Sequence, residues 1–462
     1  MSLEIFKDMN DELISHLNYK NPKTASYIIE RNSCSFHAIG GNVYKPTSGV
    51  RLLRFNIAAE DFLDPSTLRI MFDIVNTAEP VSTGSSRTLY PVSPAHGWFS
   101  RARLLSRGQV VEDISQYNRV HEMFNMFKSP GASEDDMLES MLGDYKTSGP
   151  VVIKELSGIP RGERQTVLFK PLFGLLSQSK YISLKYSPLT IELELDSNEY
   201  ANIITPNSAS IYDGAYTMEA TTGSFEIQNC MIRADIIKID SELQNKYDDH
   251  LMSGGAISLP YTTYHSQILK ILGTSFTINL SRSLTYLTRV YASFLRATET
   301  TMNPPNFWTK PHNCFYHTLR INNSLLGGNV PYYRDKYDII QNCQLQIGSK
   351  LIPDYPMKSS SEAFYFLKKA FNLNTMFNNH VHSFNITGRE YLDHKFVIVF
   401  DTEKINGHVA SFTGMNVKNG EQITLKMDLQ TAELERNPED CHIVLEAEQV
   451  LEIKGSYVRV AD

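Results

Sequence analysis

At 462 residues the chain exceeds what one hydrophobic core usually serves, and two domains of roughly 200 residues each is the natural division. With 42% apolar and 21% charged residues it has the proportions of a folded globular protein, and a net charge of −7 without any Lys/Arg cluster argues against a grip on nucleic-acid phosphates. No apolar run approaches the roughly 20 residues that cross a bilayer, and the N-terminus lacks a basic stretch ahead of a hydrophobic one, so neither a membrane span nor a secretory signal is expected.

The chain opens at residues 2–17, where Phe6, Met9, Leu13, Ile14 and Leu17 form the apolar stripe of a short amphipathic helix. Such a helix is either a lid on its own domain or an arm that docks on a neighbour or a membrane, the membrane being disfavoured by the few basic residues on its polar face. Strands are predicted at 33–38, at 51–57 with Leu53, Phe55 and Ile57 on one face, and at 70–75 with Ile70, Phe72 and Ile74 alternating. Residues 76–98, rich in Pro, Ser, Thr and Gly, read as a long exposed contact loop.

Residues 101–127 begin as a strand, reach Gly108, resume with Val110 and Val111, and pass through an acidic turn into a helix. That helix places Ile114, Tyr117, His121, Phe124 and Phe127 at steps of three and four. A glycine inside a strand pattern predicts a bulge or a bend. A second helix is expected over 134–142 with Ser133 as N-cap, then strands at 165–170, 181–186, 189–195 (LTIELEL) and 225–240. A seam follows between 240 and 264, with Gly254 and Gly255 as its flexible point.

The second half offers strands at 275–280, 287–297 and 315–321. Between the last two, residues 298–313 form a long loop whose Phe307-Trp308 pair should be covered by a neighbour. Residues 342–371 then repeat the earlier pattern: a strand, Gly348, the apolar pair Leu351-Ile352, an acidic turn, and a helix carrying Phe364, Leu367 and Phe371. ITLKMDL at 423–429 follows Gly348 at about the distance at which LTIELEL follows Gly108, and each half closes on a long β segment, 225–240 and 441–460. The same order twice points to a duplicated, mostly antiparallel β module.

Chemical motifs are scarce. The chain has no phosphate-binding glycine loop, no H-E-x-x-H and no G-x-S-x-G. His380 and His382 share a strand face with His394 not far along, but without a third ligand at motif spacing they read as ordinary strand histidines. Glu192 and Glu194 alternate with leucines and isoleucine, which predicts a solvated face rather than a carboxylate pair. The glycosylation patterns at Asn279, Asn322 and Asn385 read as chance in a chain without a secretory signal. Cys34, Cys230, Cys314, Cys343 and Cys441, an odd number without CxxC spacing, read as reduced and mostly buried thiols of a cytosolic or nuclear protein. No catalytic, cofactor-binding or metal site is predicted, and no cofactor.

Taken together, the repeated strand–glycine–helix units, the closing strand running through Ile236-Ile237-Lys238-Ile239-Asp240-Ser241 into a linker helix, and the turn from Gln346-Ile347-Gly348 to Tyr355-Pro356 resemble the double jelly-roll major capsid proteins of polinton-like viruses, virophages and related eukaryotic DNA viruses. The resemblance implies a mainly β chain of two tandem eight-stranded antiparallel jelly rolls, with short helices in the loops and strands roughly perpendicular to a capsid surface. It divides the chain into an N-terminal amphipathic arm (1–29), a first jelly roll (30–242) and a second (243–462), too short for long tower insertions. It further implies a non-enzymatic structural protein of the virion, assembled in the cytoplasm or nucleus of a host cell. Three copies would form a homotrimeric, pseudo-hexameric capsomer of an icosahedral shell, with neighbouring capsomers, penton and minor capsid proteins as partners. Two other readings stay open: a carbohydrate-binding or cupin-like jelly-roll protein, which needs a metal triad or an aromatic platform in a barrel mouth, and a scaffold or adhesion protein of tandem β-sandwiches.

Overall fold

The structure is a computed structural model, and it describes residues 27–77, 88–140, 145–148, 151–154, 158–198, 202–204, 225–273, 275–295, 312–316, 340–371, 373, 384, 386–404, 412–418, 421–429, 440–455 and 457–461. The expected N-terminal helix, Phe307 and Trp308, His380 and His382, Asn322, Asn385 and most of the strand expected at 315–321 lie outside the described residues.

Period-two alternation builds the first half. Its strands are β1 (Ile28–Ile39), β2 (Leu52–Ile57), β3 (Phe62–Asn76), β4 (Phe99–Ser106), β5 (Gln109–Ser115), β6 (Arg164–Phe169), β7 (Leu189–Leu195) and β8 (Phe225–Ile239). They pair antiparallel in two layers, β1-β8-β3-β6 and β2-β7-β4-β5, joined at a corner where Ala38 pairs with Phe55 and Ile39 with Arg54. One face of β3 sends Leu68, Ile70, Phe72 and Ile74 into the core, one face of β2 sends Leu53, Phe55 and Ile57, and Phe72 meets Phe99 of the opposite layer edge to face at 5.6 Å. Each such side chain contributes about 1.5–3 kcal/mol on burial, so the alternation fixes which way every strand faces.

The second half repeats this with β9 (Ile257–Lys270), β10 (Ser275–Leu280), β11 (Leu287–Leu295), β12 (Ile340–Ile347), β13 (Lys350–Met357), β14 (Ile398–Asp401), β15 (Ile423–Leu429) and β16 (Asp440–Ile453). Its layers are β9-β16-β11-β14 and β10-β15-β12-β13, the first half's order with eight added to every strand number. LTIELEL is β7 and ITLKMDL is β15, so the two segments occupy one position in the repeat, as the duplicated module requires. Among the described residues every strand pairing lies within 28–239 or within 257–461.

Short helices fill the connections. α1 (Tyr117–Met126) and α2 (Pro130–Glu139) lie between β5 and β6, α3 (Ser241–Met252) joins the halves, and α4 (Ser360–Ala370) and α5 (Gly388–Asp393) lie between β13 and β14. α4 is therefore the counterpart of α1. Asp240 caps α3 by accepting from the Glu242 N–H at 3.1 Å, and Thr387 and Glu390 form a reciprocal capping box on α5. No helix among the described residues is long and apolar enough to cross a membrane.

Several expectations need correction. Gly108 and Gly348 are hairpin tips, not bends inside a strand: Ser106 pairs with Gln109, and Ile347 with Lys350. The apolar pair after each glycine therefore belongs to a new strand, and Ile114 sits in β5 rather than in the helix. α2 starts earlier than expected, with Ser129 rather than Ser133 as N-cap, because Pro130 is pre-set for the first helical position. Of 181–186 only Ile182–Ser183 is a strand, and the closing segment turns back after Ile453 into β17 (Val458–Ala461). Within the expected exposed loop at 76–98, Pro91 to Trp98 is buried and ends in a short 3-10 helix, Ala95–Trp98, with Trp98 against Phe225.

Candidate functional site

Among the described residues, none of those singled out from sequence forms a catalytic arrangement. Among the described residues no three His, Cys, Asp or Glu side chains come together as a metal site. His394 follows α5, where its carbonyl accepts from the Phe315 N–H at 2.6 Å. Glu192 departs from expectation, because it is buried rather than solvated: it pairs with Arg103 at 2.7 Å and Arg54 at 3.5 Å, its register partners on β4 and β2. Arginines on both neighbouring strands thus close over the acid and make it a rung of a charge ladder. Glu194 is half-exposed and lies 3.9 Å from Arg51. The five cysteines are free thiols, four of them buried, and burial pushes the Cys230 thiol up to about 12 and those of Cys343 and Cys441 also upward, which keeps them protonated and unreactive.

What the fold does bring together is a joint between the two sandwiches, centred on α1. Phe124 packs on Tyr264 of β9 at 4.5 Å and on Tyr291 of β11 at 5.2 Å, and Phe127 lies 5.0 Å from Phe371 at the end of α4. Arg119, fully buried, crosses the joint. It donates to the carbonyls of Cys314 (2.7 Å) and Phe294 (3.1 Å), to the Ser293 hydroxyl (3.2 Å) and to His442 Nδ1 (3.3 Å), and lies 4.2 Å over the ring of Phe315. Burial lowers its pKa to about 10, which leaves it charged at neutral pH. A buried planar guanidinium that donates to two carbonyls, a hydroxyl and an imidazole favours one geometry of the joint.

Behind this contact lies a second buried charge. Arg289 of β11 reaches Glu446 of β16 and Glu403, both at 3.3 Å, and the Tyr291 hydroxyl donates to Glu446 at 2.5 Å. Burial opposes the charge on Arg289, but Tyr291, Glu446 and Glu403 outweigh it and hold the pKa above the usual value. Glu403 is pushed up to about 7, by burial against the pull of Arg289.

A backbone clamp completes the joint. Glu112 of β5, fully buried, accepts from the N–H groups of Gly174 and Leu175, each at 2.9 Å, and the Tyr117 hydroxyl accepts from Leu172 N–H at 2.8 Å. The segment so held presses on β9, where the Tyr261 hydroxyl also donates to the Val111 carbonyl at 3.2 Å. Burial raises Glu112 to about 8 although the two N–H donors pull it down. On the other side of α1, His121 stacks on His96 at 4.0 Å, and His96 Nε2 lies 2.8 Å from Glu122. These groups anchor elements to one another, and among them no nucleophile of the described residues stands beside a base with an open position for substrate.

Sequence reasoning had missed Arg119, Glu112 and Arg289. Glu112 and Arg289 did carry a signal, a charge on a strand face whose neighbours two positions away are apolar (Val110 and Ile114, Leu287 and Tyr291), whereas nothing around Arg119 sets it apart.

No protein-family model matches the chain, and no curated protein matches it. Solved structures match along nearly its whole length. The quasi-atomic PBCV-1 virus capsid superposes with a TM-score of 0.60 at 11% identity, over 96% of this chain and 99% of that one. The Faustovirus major capsid protein gives 0.60 at 9% identity over 98% and 99%, and the Sputnik virophage structure 0.58 at 12% over 96% and 91%. The chain is a double jelly roll. Both rolls of the fold are present in full, and at this level of identity the shared property is the arrangement of strands rather than any set of side chains.

Proposed function

We propose that this chain is the major capsid protein of an icosahedral DNA virus and that three copies form a pseudo-hexameric capsomer. The observation that carries the reading is the match to the PBCV-1 capsid chain over 96% of this chain and 99% of that one, together with the single strand order that this chain's two sandwiches share. Two similar rolls times three chains give six similar corners, which tile with approximate sixfold contacts while closing as a threefold ring. On this reading the chain is a structural component of the virion, with residues 30–242 and 243–462 as its two rolls and residues 1–29 as an arm. The split of all described strand pairings at α3 supports that division. Neighbouring capsomers, penton and minor capsid proteins are its partners, and the host cytoplasm or nucleus is its place of assembly.

Purified protein examined by analytical ultracentrifugation and electron microscopy tests this. A stable trimer of pseudo-hexagonal outline is the expected result. A chain that stays monomeric at micromolar concentration, and forms no trimer in particles, overturns it.

A further inference from the structure

Two of the polar contacts that cross the joint carry a histidine, and acid acts on them in opposite ways. At the first, His442 of β16 is fully buried with both ring nitrogens engaged. Arg119 Nε donates to its Nδ1 at 3.3 Å, so that nitrogen holds a lone pair, and the ring proton sits on Nε2, 2.9 Å from the Ser266 hydroxyl of β9. A second proton has to enter on Nδ1, pointing at the guanidinium. The closed joint accommodates neutral His442 and opposes its cation.

The described groups around the ring do not offset that opposition. α1 presents Arg119, and β11 presents the Ser293 hydroxyl, which already accepts from Arg119 at 3.2 Å. Cys314 and Tyr316 lie near Arg119, and burial keeps the Cys441 thiol protonated. Tyr264 and Tyr291, next along the same face, are held neutral by burial, and beyond them Glu446 is paired with Arg289. Burial and then Arg119 accordingly hold His442 well below 6.5. At the second crossing, His312 Nε2 lies 2.9 Å from the Ser93 hydroxyl, but there Glu122 of α1 faces His312 together with His96 and Lys395. A proton arriving at that crossing meets a carboxylate. His121 points the other way, onto His96 and Phe169 of the first roll, and does not depend on whether the joint is closed.

We propose that Arg119 and His442 form an acid-operated latch between the rolls: a proton on His442 expels the guanidinium, and α1 lifts with the first roll from β9-β16-β11 while each sandwich stays folded. The open joint returns the imidazole to water and to its ordinary value of 6.5. Each pH unit below that value therefore shifts the balance about tenfold toward opening. Arg119 releases the carbonyls of Cys314 and Phe294 in the same step, so residues 312–316 report it. The latch lies within one chain and does not rest on the trimer reading.

Hydrogen exchange of the full chain, followed by mass spectrometry between pH 7 and pH 5 and corrected for the intrinsic rate at each pH, tests this. The amides of Phe315 and Tyr316, bonded to the carbonyls of His394 and Phe294, are the probes. In the wild type their opening constant should rise about tenfold per pH unit below 6.5, with the far-UV circular dichroism unchanged. His442→Asn, which keeps a neutral acceptor toward Arg119, should show no such slope. Arg119→Gln should open more at every pH and lose most of the slope. A wild type whose exchange is independent of pH, a slope that persists in a variant that folds, or a slope accompanied by loss of the strand signal overturns the latch.

Discussion

Gly174 approaches the carbonyl oxygen of Thr262 so closely that a Cβ on the glycine would lie 1.6 Å from it. The loop of the first roll that Glu112 holds is therefore seated directly on the backbone of β9, with no room for a side chain. Gly174→Ala forces the loop off β9 or breaks the two bonds to Glu112, and overpacking of this kind costs about 3 kcal/mol. The expected result is a fall in Tm of several degrees, measured by calorimetry; an unchanged Tm would show that the loop moves freely.

Arg119 carries the heaviest polar load in the joint. Arg119→Met keeps the length and removes the donors, leaving the buried carbonyls of Phe294 and Cys314 without this partner. The Phe294 carbonyl keeps the Tyr316 N–H at 3.3 Å, so the cost lies in the charged hydrogen bonds lost, each about 1.5–3 kcal/mol, and a loss of about 3 kcal/mol is expected in denaturant unfolding. Arg119→Lys, which retains the charge but not the planar fork, should recover less than half of it. Equal stability of all three proteins would mean that the joint is held by its aromatic and backbone contacts without Arg119.

Most of the fold was legible because its signal is local. Alternation in LTIELEL and ITLKMDL gives the strand, its buried face and, by recurrence, the duplication. Hairpin tips were less legible: a glycine between two apolar pairs fits a bulge as well as a turn, and only the pairing of Ser106 with Gln109 decides. The joint was not legible at all. Arg119 meets residues 174 to 323 positions away, and nothing in the helix sequence states what its outer face will touch. Glu192 failed for a related reason, since the arginines that cover it lie on two other strands.

Glu112 gives the chain an alkaline sensitivity. The folded protein keeps a proton on this carboxyl up to about pH 8, while an unfolded one loses it near its ordinary value of 4.5. The contribution to stability is therefore full in acid and is lost as pH rises between those values. Glu403, raised to about 7, acts in the same direction over a narrower window. Glu112→Gln removes the larger part. The difference in Tm between wild type and variant should shrink steadily from pH 5 to pH 9, and a difference independent of pH would show that Glu112 is ionised in the folded chain throughout.

His121 works in the opposite sense. Burial, then the neighbouring charges of His96 and Lys128, hold its pKa well below 6.5. The Tyr117 hydroxyl lies 3.1 Å from its Nδ1, and Asp136, Glu139 and Lys170 line the small cavity beside it. The unfolded chain takes up this proton first, so the stability is present above pH 6.5 and is lost as pH falls below it. His442, lowered by burial and by Arg119, adds to that loss at the joint. His121→Gln should blunt the drop in Tm between pH 6.5 and pH 5, and a drop of undiminished size in the variant would assign the acid sensitivity to other groups.

The hairpin tip of the first roll makes opposite predictions for its two neighbouring residues. Arg107 (φ 47°) and Gly108 (φ 80°) are both left-handed, as a two-residue type I′ turn demands, whereas at the second tip the positive φ falls on Gly348 (57°). Gly108→Val places a β-branched residue where it is strained and should cost about 1–3 kcal/mol. Nothing lies within 4 Å of a Cβ at Gly108, so that loss is purely conformational. Arg107 already bears such strain, and Arg107→Asn substitutes a residue that tolerates this region at the price of a 3.4 Å bond to the Gly455 carbonyl. Asn-Gly is the preferred pair for this turn, so Arg107→Asn should raise stability by about 0.5 kcal/mol. Denaturant midpoints of the two single variants check both signs at once. If both substitutions lower the midpoint, the bond from Arg107 to the second roll outweighs the turn, and β5 is held by the joint more than by its own hairpin.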